Sequence, residues 1–256
     1  MASILELHQK GYRYVIDLES GLDVSIPLVS GDKNPNCFYA KSPVFEPVRG
    51  EGFVGDTLLG GVVNFKDVSL NPHGNGTHTE CVGHISKEPY FINDVKLLPF
   101  IPARIVSVNP ATTENGDRII KAESFSGLAP ATPGEAIVVR TLPNYADKKL
   151  TNYSGSNPAY FHHESIAWLV YLGFEHLLTD LPSVDREEDG GKLAGHKAWW
   201  KYPGNTRLQA TITEMIYVED TILDGRYLLQ LSVLNWELDV SPSRPVLYPL
   251  ISFSTP

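Results

Sequence analysis

Short runs of β-branched and aromatic residues recur along the chain and predict a fold rich in strands. These runs are bounded by Gly, Pro, Asn or Asp, which are the residues that most often form turns. The runs that predict strands are Arg13 to Leu18, Gly61 to Leu70, Ala103 to Val108, Ala136 to Arg140, Glu175 to Leu178, Ala210 to Tyr217 and Tyr227 to Leu234.

One segment instead has the spacing of a helix. From Ala159 to Gly173 the chain reads AYFHHESIAWLVYLG, and its apolar residues recur at helical intervals. Gly173 is a natural end for this helix, and a strand follows at once. A helix, a glycine and a strand in succession are typical of an α/β protein, whereas the other strands favour a mixed sheet over a purely parallel one. The sequence therefore predicts a single α/β domain over residues 1–256, with many strands and few helices.

The composition is that of an ordinary globular protein with an acidic surface. Hydrophobic residues make up 42% of the chain and charged residues 20%, which allows a sizeable core. The formal net charge of −9 opposes binding to a phosphate backbone, so nucleic acid is not an expected partner. We find no stretch near the ~20 apolar residues needed to cross a bilayer. We also find no basic start followed by an apolar run, so the sequence predicts no signal peptide and a cytoplasmic location.

The densest cluster of metal-binding side chains lies between residues 71 and 84 (NPHGNGTHTECVGH). If the chain is extended here, His78 and Glu80 point to the same side because they are two residues apart. His84 can return to them after a turn, and His73 lies just before. Isolated histidines are usually surface or core residues, and Gly-Asn-Gly is usually a turn. The number of possible ligands beside a glycine turn nevertheless favours a metal-binding site. Imidazole nitrogen together with carboxylate oxygen suits Zn, Mn, Fe or Ni.

Cys37 and Cys81 are the only cysteines. One disulfide between them is possible, but a reduced pair in the cytoplasm is favoured. Cys81 lies within the ligand cluster, where a buried, inert thiol is favoured over a nucleophile.

The segment Gly76 to Glu80, together with His84, resembles the signature of the cyclase family, which includes bacterial kynurenine formamidases and isatin hydrolases. The family motif reads His-x-Gly-Thr-His-x-Asp-x-x-x-His. Further matches follow in the same order along the chain, at Ala136 to Thr141, Leu178 to Asp185, His196, Glu214 and Ser243 to Leu247.

This resemblance implies the swivelling β/β/α fold, a compact mixed-sheet domain usually found as a dimer or tetramer. It implies that His78 binds a first metal and that Glu80 takes the place of a bridging aspartate. His196 and Glu214 would bind a second metal, and His84 would be the general acid/base. The cofactor would be a divalent metal, with zinc or manganese favoured. The reaction would be hydrolysis of an amide or lactam-type C–N bond in a small molecule, such as an N-formyl arylamine.

Three departures from the family pattern leave alternatives open. The first motif histidine would fall at Gly74, whereas the nearest histidine is His73. In an extended strand this shift would turn His73 away, but in a glycine-rich turn it could still reach the metal. Glu80 is one methylene longer than aspartate, and Leu142 stands where the family often has glycine. The first two departures would mean an altered metal site, a single metal or no metal, and the third leaves the substrate open.

Two other functions therefore stay open. The chain could catalyse a different ring opening or a cyclase-type dehydration on the same scaffold. It could also be a non-catalytic small-molecule-binding protein that kept the fold and lost a full metal site. Asp180 and Asp185 are expected only as supporting residues near the site, and His162, His163 and His176 are expected to be solvated or packed.

Overall fold

A computed structural model describes residues 3–254, so the extreme ends of the domain predicted over 1–256 lie outside the described residues. In chain order the strands are β1 (Ile4–Gln9), β2 (Tyr12–Asp17), β3 (Leu22–Asp23), β4 (Val44–Pro47), β5 (Arg49–Gly50), β6 (Phe53–Val54), β7 (Lys66–Ser69), β8 (His78–Glu80), β9 (Ile101–Val108), β10 (Ala111–Thr112), β11 (Arg118–Ile120), β12 (Ala136–Thr141), β13 (Tyr160–Phe161), β14 (His176–Thr179), β15 (Thr211–Glu214), β16 (Gly225–Val233) and β17 (Val240–Ser254). The α-helices are α1 (His163–Tyr171) and α2 (Ala194–Trp200).

The main sheet closes on itself like a barrel. Its strands follow the order β17, β16, β9, β12, β14, β15 and β8, and β8 pairs again with β17. The strands β9, β12, β14 and β15 are parallel to their neighbours within this group, whereas β8, β16 and β17 add antiparallel pairs. The prediction of a strand-rich α/β fold with a mixed sheet and few helices is therefore confirmed.

Both faces of the central strands are buried. In β12, Ile137 and Val139 belong to the apolar cluster that also contains residues of α1 and α2. Ala136 and Val138 point to the other face and belong to a second cluster, which contains residues of β9 and β16. This alternation follows from the two-residue period of a strand, and burial on both faces explains the continuous apolar run in the sequence.

Three predicted elements are shorter than expected. The helix begins at His163 rather than Ala159, because Tyr160 and Phe161 extend alongside β11 and form β13. Its end is as predicted, with Gly173 in the left-handed region at a φ of 95°. Of the predicted strand from 210 to 217, only residues 211–214 are a strand, because Met215 turns the chain with a φ of 53°.

The predicted strand from Gly61 to Leu70 is also shorter, and only β7 forms within it. Gly61 packs so closely on the Val54 carbonyl oxygen that a Cβ there would lie 1.9 Å from it. The residues from Gly61 to the start of β7 therefore form a loop that packs against Val54 instead of extending as a strand.

Helix α2 is short, and two tryptophans fix its position. Trp199 and Trp200 are fully buried, and their indole N–H groups donate to the carbonyl oxygens of Thr211 (3.1 Å) and Ala210 (2.8 Å). The helix is thereby attached to the start of β15. Neither α-helix in the described part of the chain is long and apolar enough to span a membrane.

Candidate metal centre

Strand β8 carries the first residues of the site, and it lies where the sheet closes. Gly76, with a φ of 77°, turns the chain into the strand. Thr77 fixes this entry, because its hydroxyl donates to the Met215 carbonyl at 2.6 Å. His78 and Glu80 then follow as buried residues of β8, as the extended geometry considered from the sequence requires. A 3₁₀ turn at Val82–His84 brings His84 back toward Glu80.

Two distant elements complete a buried inner group. His196 comes from α2 and Glu214 from the end of β15. The Nε2 of His196 lies 3.2 Å from Oε1 of Glu80, and Nε2 of His78 lies 3.4 Å from Oε2 of Glu214. These four residues are between 1% and 4% exposed, so their charges are almost fully removed from water.

His73 and His84 form an outer pair at the mouth of the site. Nδ1 of His73 lies 3.2 Å from Oε2 of Glu80, and Nδ1 of His84 lies 3.7 Å from the same oxygen. Their side chains are 27% and 29% exposed, which gives them access to solvent. Glu80 therefore faces the inner group with one oxygen and the outer pair with the other. All six candidate residues named from the sequence meet at this one place.

Three histidine rings are held by partners outside the group. His196 Nδ1 lies 2.6 Å from Oδ2 of Asp185, and His78 Nδ1 lies 3.0 Å from the carbonyl oxygen of Gly76. His73 Nε2 lies 2.9 Å from Oδ2 of Asp239. A ring that donates its N–H to such a partner presents its other nitrogen, as a lone pair, to the centre. Metal-binding histidines in proteins are characteristically held in this way.

The side chains fit a divalent cation. Nε2 of His78 and Oε1 of Glu80 are buried and have no hydrogen-bond partner among the described residues. Buried polar atoms without partners are costly unless something else satisfies them. One ligand atom each from His73, His78 and Glu80 lies within 4.8 Å of the others, and the same holds for Glu80, His84 and His196. Imidazole nitrogen with carboxylate oxygen is the donor set that zinc and manganese accept.

The electrostatics of the site also favour positive charge. Burial alone would raise the pKa of Glu80, but the surrounding histidines outweigh it and hold the pKa well below its usual value. For His196, burial opposes the charged form, yet Asp185 and Glu80 raise its pKa to about 10. His73 shows the same balance, with Asp239 and Glu80 raising its pKa to about 10. With no cation present, both rings would therefore carry a proton on the nitrogen that faces the centre at neutral pH, and a bound divalent cation would take the place of those protons.

The supporting residues have different locations. Asp185 contacts the centre through His196 and also accepts from the backbone N–H of Gly195 at 2.6 Å. Asp180 lies elsewhere, where it accepts from Thr141 and pairs with Lys148 Nζ at 2.7 Å.

Three further histidines lie outside the centre. His176 is packed in β14, as expected, and its Nδ1 lies 2.9 Å from the Thr211 hydroxyl. His162 and His163 lie at the start of α1, outside the contacts of the centre.

Asp239 is the residue that the sequence did not reveal. It lies in the loop between β16 and β17, far along the chain from the histidine cluster. Its carbonyl oxygen accepts from the Cys81 N–H at 2.9 Å, which draws it beside the end of β8. A lone aspartate in a loop carries no local signal, because only the pairing of β17 with β8 brings it here.

The centre opens into a cavity of about 210 Å³. Besides the histidines and carboxylates, its wall includes Phe38, Ser183, Arg186 and Leu193. Cys37 and Cys81 are both free and buried nearby in the fold, and burial raises the pKa of the Cys81 thiol to about 12. A thiol of this kind is protonated at neutral pH and inert, as expected from the sequence.

The chain belongs to the cyclase family: residues 16–186 match the family model described as "Putative cyclase". No match was found among curated protein sequences.

Solved structures share the fold over nearly the whole chain. One described as a "potential metal-dependent hydrolase with cyclase activity" has a TM-score of 0.65 at 15% identity, covering 89% of this chain and 96% of the other. An isatin hydrolase bound to the product analogue thioisatinate has a TM-score of 0.64 at 16% identity, covering 91% and 94%. Isatin hydrolase A from Ralstonia solanacearum has a TM-score of 0.64 at 13% identity, covering 89% and 91%. At these identities the likeness establishes the fold.

Proposed function

We propose that this protein is a metal-dependent hydrolase that cleaves an amide or lactam-type C–N bond in a small molecule, in the manner of an arylformamidase. The observation that carries this proposal is the arrangement of His73, His78 and His196. In each ring one nitrogen is held by a neighbouring oxygen, and the other nitrogen faces the carboxylate of Glu80 or Glu214. A purely structural cluster would not need lone pairs directed at a common point. Membership of the cyclase family and the hydrolases among its structural neighbours support the same class of reaction.

The residues that would hold the cation are His78, Glu80, His196 and Glu214, with His73 from the outer pair. When bound, a divalent cation such as zinc or manganese supplies Lewis acidity, which ionises water near neutral pH and polarises a carbonyl group. Glu214 is held for this role because its Oε1 accepts the Val184 N–H at 2.9 Å, which leaves Oε2 directed at His78.

His84 is placed to move the proton. Its Nδ1 lies 3.4 Å from Asp239 and 3.7 Å from Glu80, longer than the contacts that fix the other three rings. The ring is also among the most exposed of the group, so a substrate in the cavity can reach it. We infer that it takes a proton from the attacking water and gives one to the leaving nitrogen, because an imidazole nitrogen can both accept and donate a proton.

The cavity favours a small substrate. At about 210 Å³ it is smaller than the ~300–1,000 Å³ usual for drug-sized ligands, so it suits a small amide of one or two rings or a formylated amine. Phe38 offers an apolar wall and Ser183 a hydroxyl for orienting the substrate. Isatin, the substrate named for two of the neighbours, is itself a cyclic amide.

The test combines metal analysis with a substrate panel. Purified protein is assayed by elemental analysis and then, with added Zn²⁺, Mn²⁺ or Co²⁺, against formanilides and small lactams. We expect bound metal and hydrolysis of at least one amide. Ligand binding with no bound metal and no turnover would instead assign the chain to the non-catalytic alternative.

A further inference from the structure

We propose that Asp239 is a positioning residue that makes His73 a metal ligand through Nδ1, and so compensates for the displaced first histidine of the motif. This inference rests on the proposed metal-dependent function. It concerns a residue that lies outside the histidine motif, in the loop between β16 and β17, far from the motif along the chain.

Gly74 occupies the position of the first histidine of the motif, and this position cannot carry a side chain in this fold. A Cβ on Gly74 would lie 2.2 Å from the Cβ of Ala40 and 3.3 Å from the Cys37 carbonyl oxygen. The backbone at Gly74 is fixed as well, since its N–H bonds to the Asn71 side chain and its carbonyl oxygen accepts from Cys37, both at 3.1 Å. The imidazole therefore has to come from a neighbouring position.

His73 provides this imidazole with the opposite ring nitrogen. His78 and His196 present Nε2 to the carboxylates of the centre, whereas His73 presents Nδ1, at 3.2 Å from Glu80. A neutral imidazole can offer Nδ1 as a lone pair only when its proton is on Nε2. Some acceptor must therefore hold that proton on the far side of the ring.

Asp239 is that acceptor. Its Oδ2 lies 2.9 Å from Nε2 of His73, and its backbone is anchored by the bond from Cys81 N–H and by the pairing of Val240 with Glu80. The contact matches that of Asp185 with His196 on the buried side of the centre, at 2.6 Å. Two aspartates, one on each side, thus select opposite tautomers so that both rings face Glu80.

The experiment measures Co²⁺ binding to the metal-stripped, full-length protein by calorimetry and by the visible spectrum of the bound ion. We expect Asp239→Asn to weaken Co²⁺ binding 10- to 100-fold, the usual effect of losing such an outer partner, and to alter the spectrum. Glu237→Gln is the matched control, because it removes the same charge from an exposed position in the same loop and should leave both readouts unchanged.

Two further backgrounds separate the positioning role from other roles. In a His73→Ala protein, which should bind Co²⁺ more weakly, Asp239→Asn is expected to have no additional effect. In a His84→Ala protein it should keep its full effect, although Asp239 also lies 3.4 Å from that ring.

Four results would overturn the inference. The first three are wild-type affinity in Asp239→Asn, an undiminished effect in the His73→Ala background, and an effect that disappears in the His84→Ala background. Loss of one of two bound ions in Asp239→Asn would also do so, since Asp239 would then be a ligand itself. If the wild-type protein binds no Co²⁺, the proposed function fails instead.

Discussion

At the scale of single residues, His78 and His84 should be separable by experiment although they lie on the same short segment. We expect His84→Ala to keep its metal and lose about 100- to 10,000-fold in turnover, because a general acid/base contributes an effect of this order. We expect His78→Ala to lose metal, because its buried Nε2 has no hydrogen-bond partner among the described residues and faces Glu214. Elemental analysis and steady-state kinetics on both variants make the comparison.

A full metal complement in His78→Ala would contradict the ligand assignment. His162→Ala is a suitable control, because this histidine lies at the start of α1, outside the centre, and should change neither readout.

His176 should make the protein sensitive to mild acid. Burial, with Arg207 nearby, lowers the pKa of this ring to about 4, whereas in the unfolded chain it titrates near 6.5. The unfolded state therefore binds the proton first as the pH falls, so the free energy of unfolding should drop below about pH 6.5 and level off near pH 4. Between pH 7 and pH 5 the loss from this group should be on the order of 2 kcal/mol.

The measurement is urea denaturation of the wild type and His176→Asn at both pH values. Asparagine retains a polar group beside Thr211 but cannot titrate, so its stability should fall less on acidification. An equal fall in both proteins would show that other groups cause the effect.

At the scale of elements, the sequence predicted best those strands that are buried on both faces. β9, β12 and β14 lie within two residues of their predicted bounds because their apolar runs are continuous. β17 was not predicted, since Pro242, Pro245 and Pro249 make it look unlike a strand. Helix α2 was missed because seven residues are too few to establish a helical period.

Trp200 should contribute more to the free energy of unfolding than its buried area alone would give, because its indole N–H bonds α2 to the residue before β15. We expect Trp200→Phe to reduce the free energy of unfolding by about 1–3 kcal/mol, since the Ala210 carbonyl oxygen would lose its donor inside the core. Chemical denaturation measures this loss. Trp168→Phe on the partly exposed face of α1 is the control and should cost under ~0.5 kcal/mol. Similar losses in the two variants would mean that the attachment is unimportant.

At the scale of the whole molecule, the residues of the candidate site differ in how easily the sequence alone identifies them. His73, His78, Glu80 and His84 could be found from their spacing alone. His196 and Glu214 required resemblance to the family, because more than 100 residues separate them from the cluster. Asp239 could be found in neither way, since its place depends on how the last strand returns to β8.

The segment from β4 to β7 predicts that the protein associates with itself. Its strands pair only with one another among residues 3–254, and it exposes large apolar side chains, with Leu58 at 93% and Val62 at 87%. Apolar patches of this kind usually mark an interface. We expect a homodimer or homotetramer in which a second copy covers this segment, and a Leu58→Asp, Val62→Asp double variant should be monomeric by analytical ultracentrifugation. Leu223→Asp, an exposed leucine elsewhere, should leave the assembly intact, and a monomeric wild type would sink the expectation.

The closure of the sheet has a consequence for how the centre can be lost. β8 is only three residues long, yet it is hydrogen-bonded on one side to β15 and on the other to β17. Its backbone N–H groups can therefore reach solvent only if one of these neighbouring strands separates from it. Deuterium uptake at Thr79 should therefore occur only when the whole domain opens, with a protection close to the global value. Local breathing of β8 would then not displace His78 or Glu80, so an ion held there would exchange through the cavity mouth beside His73 and His84 while the strand stays in place.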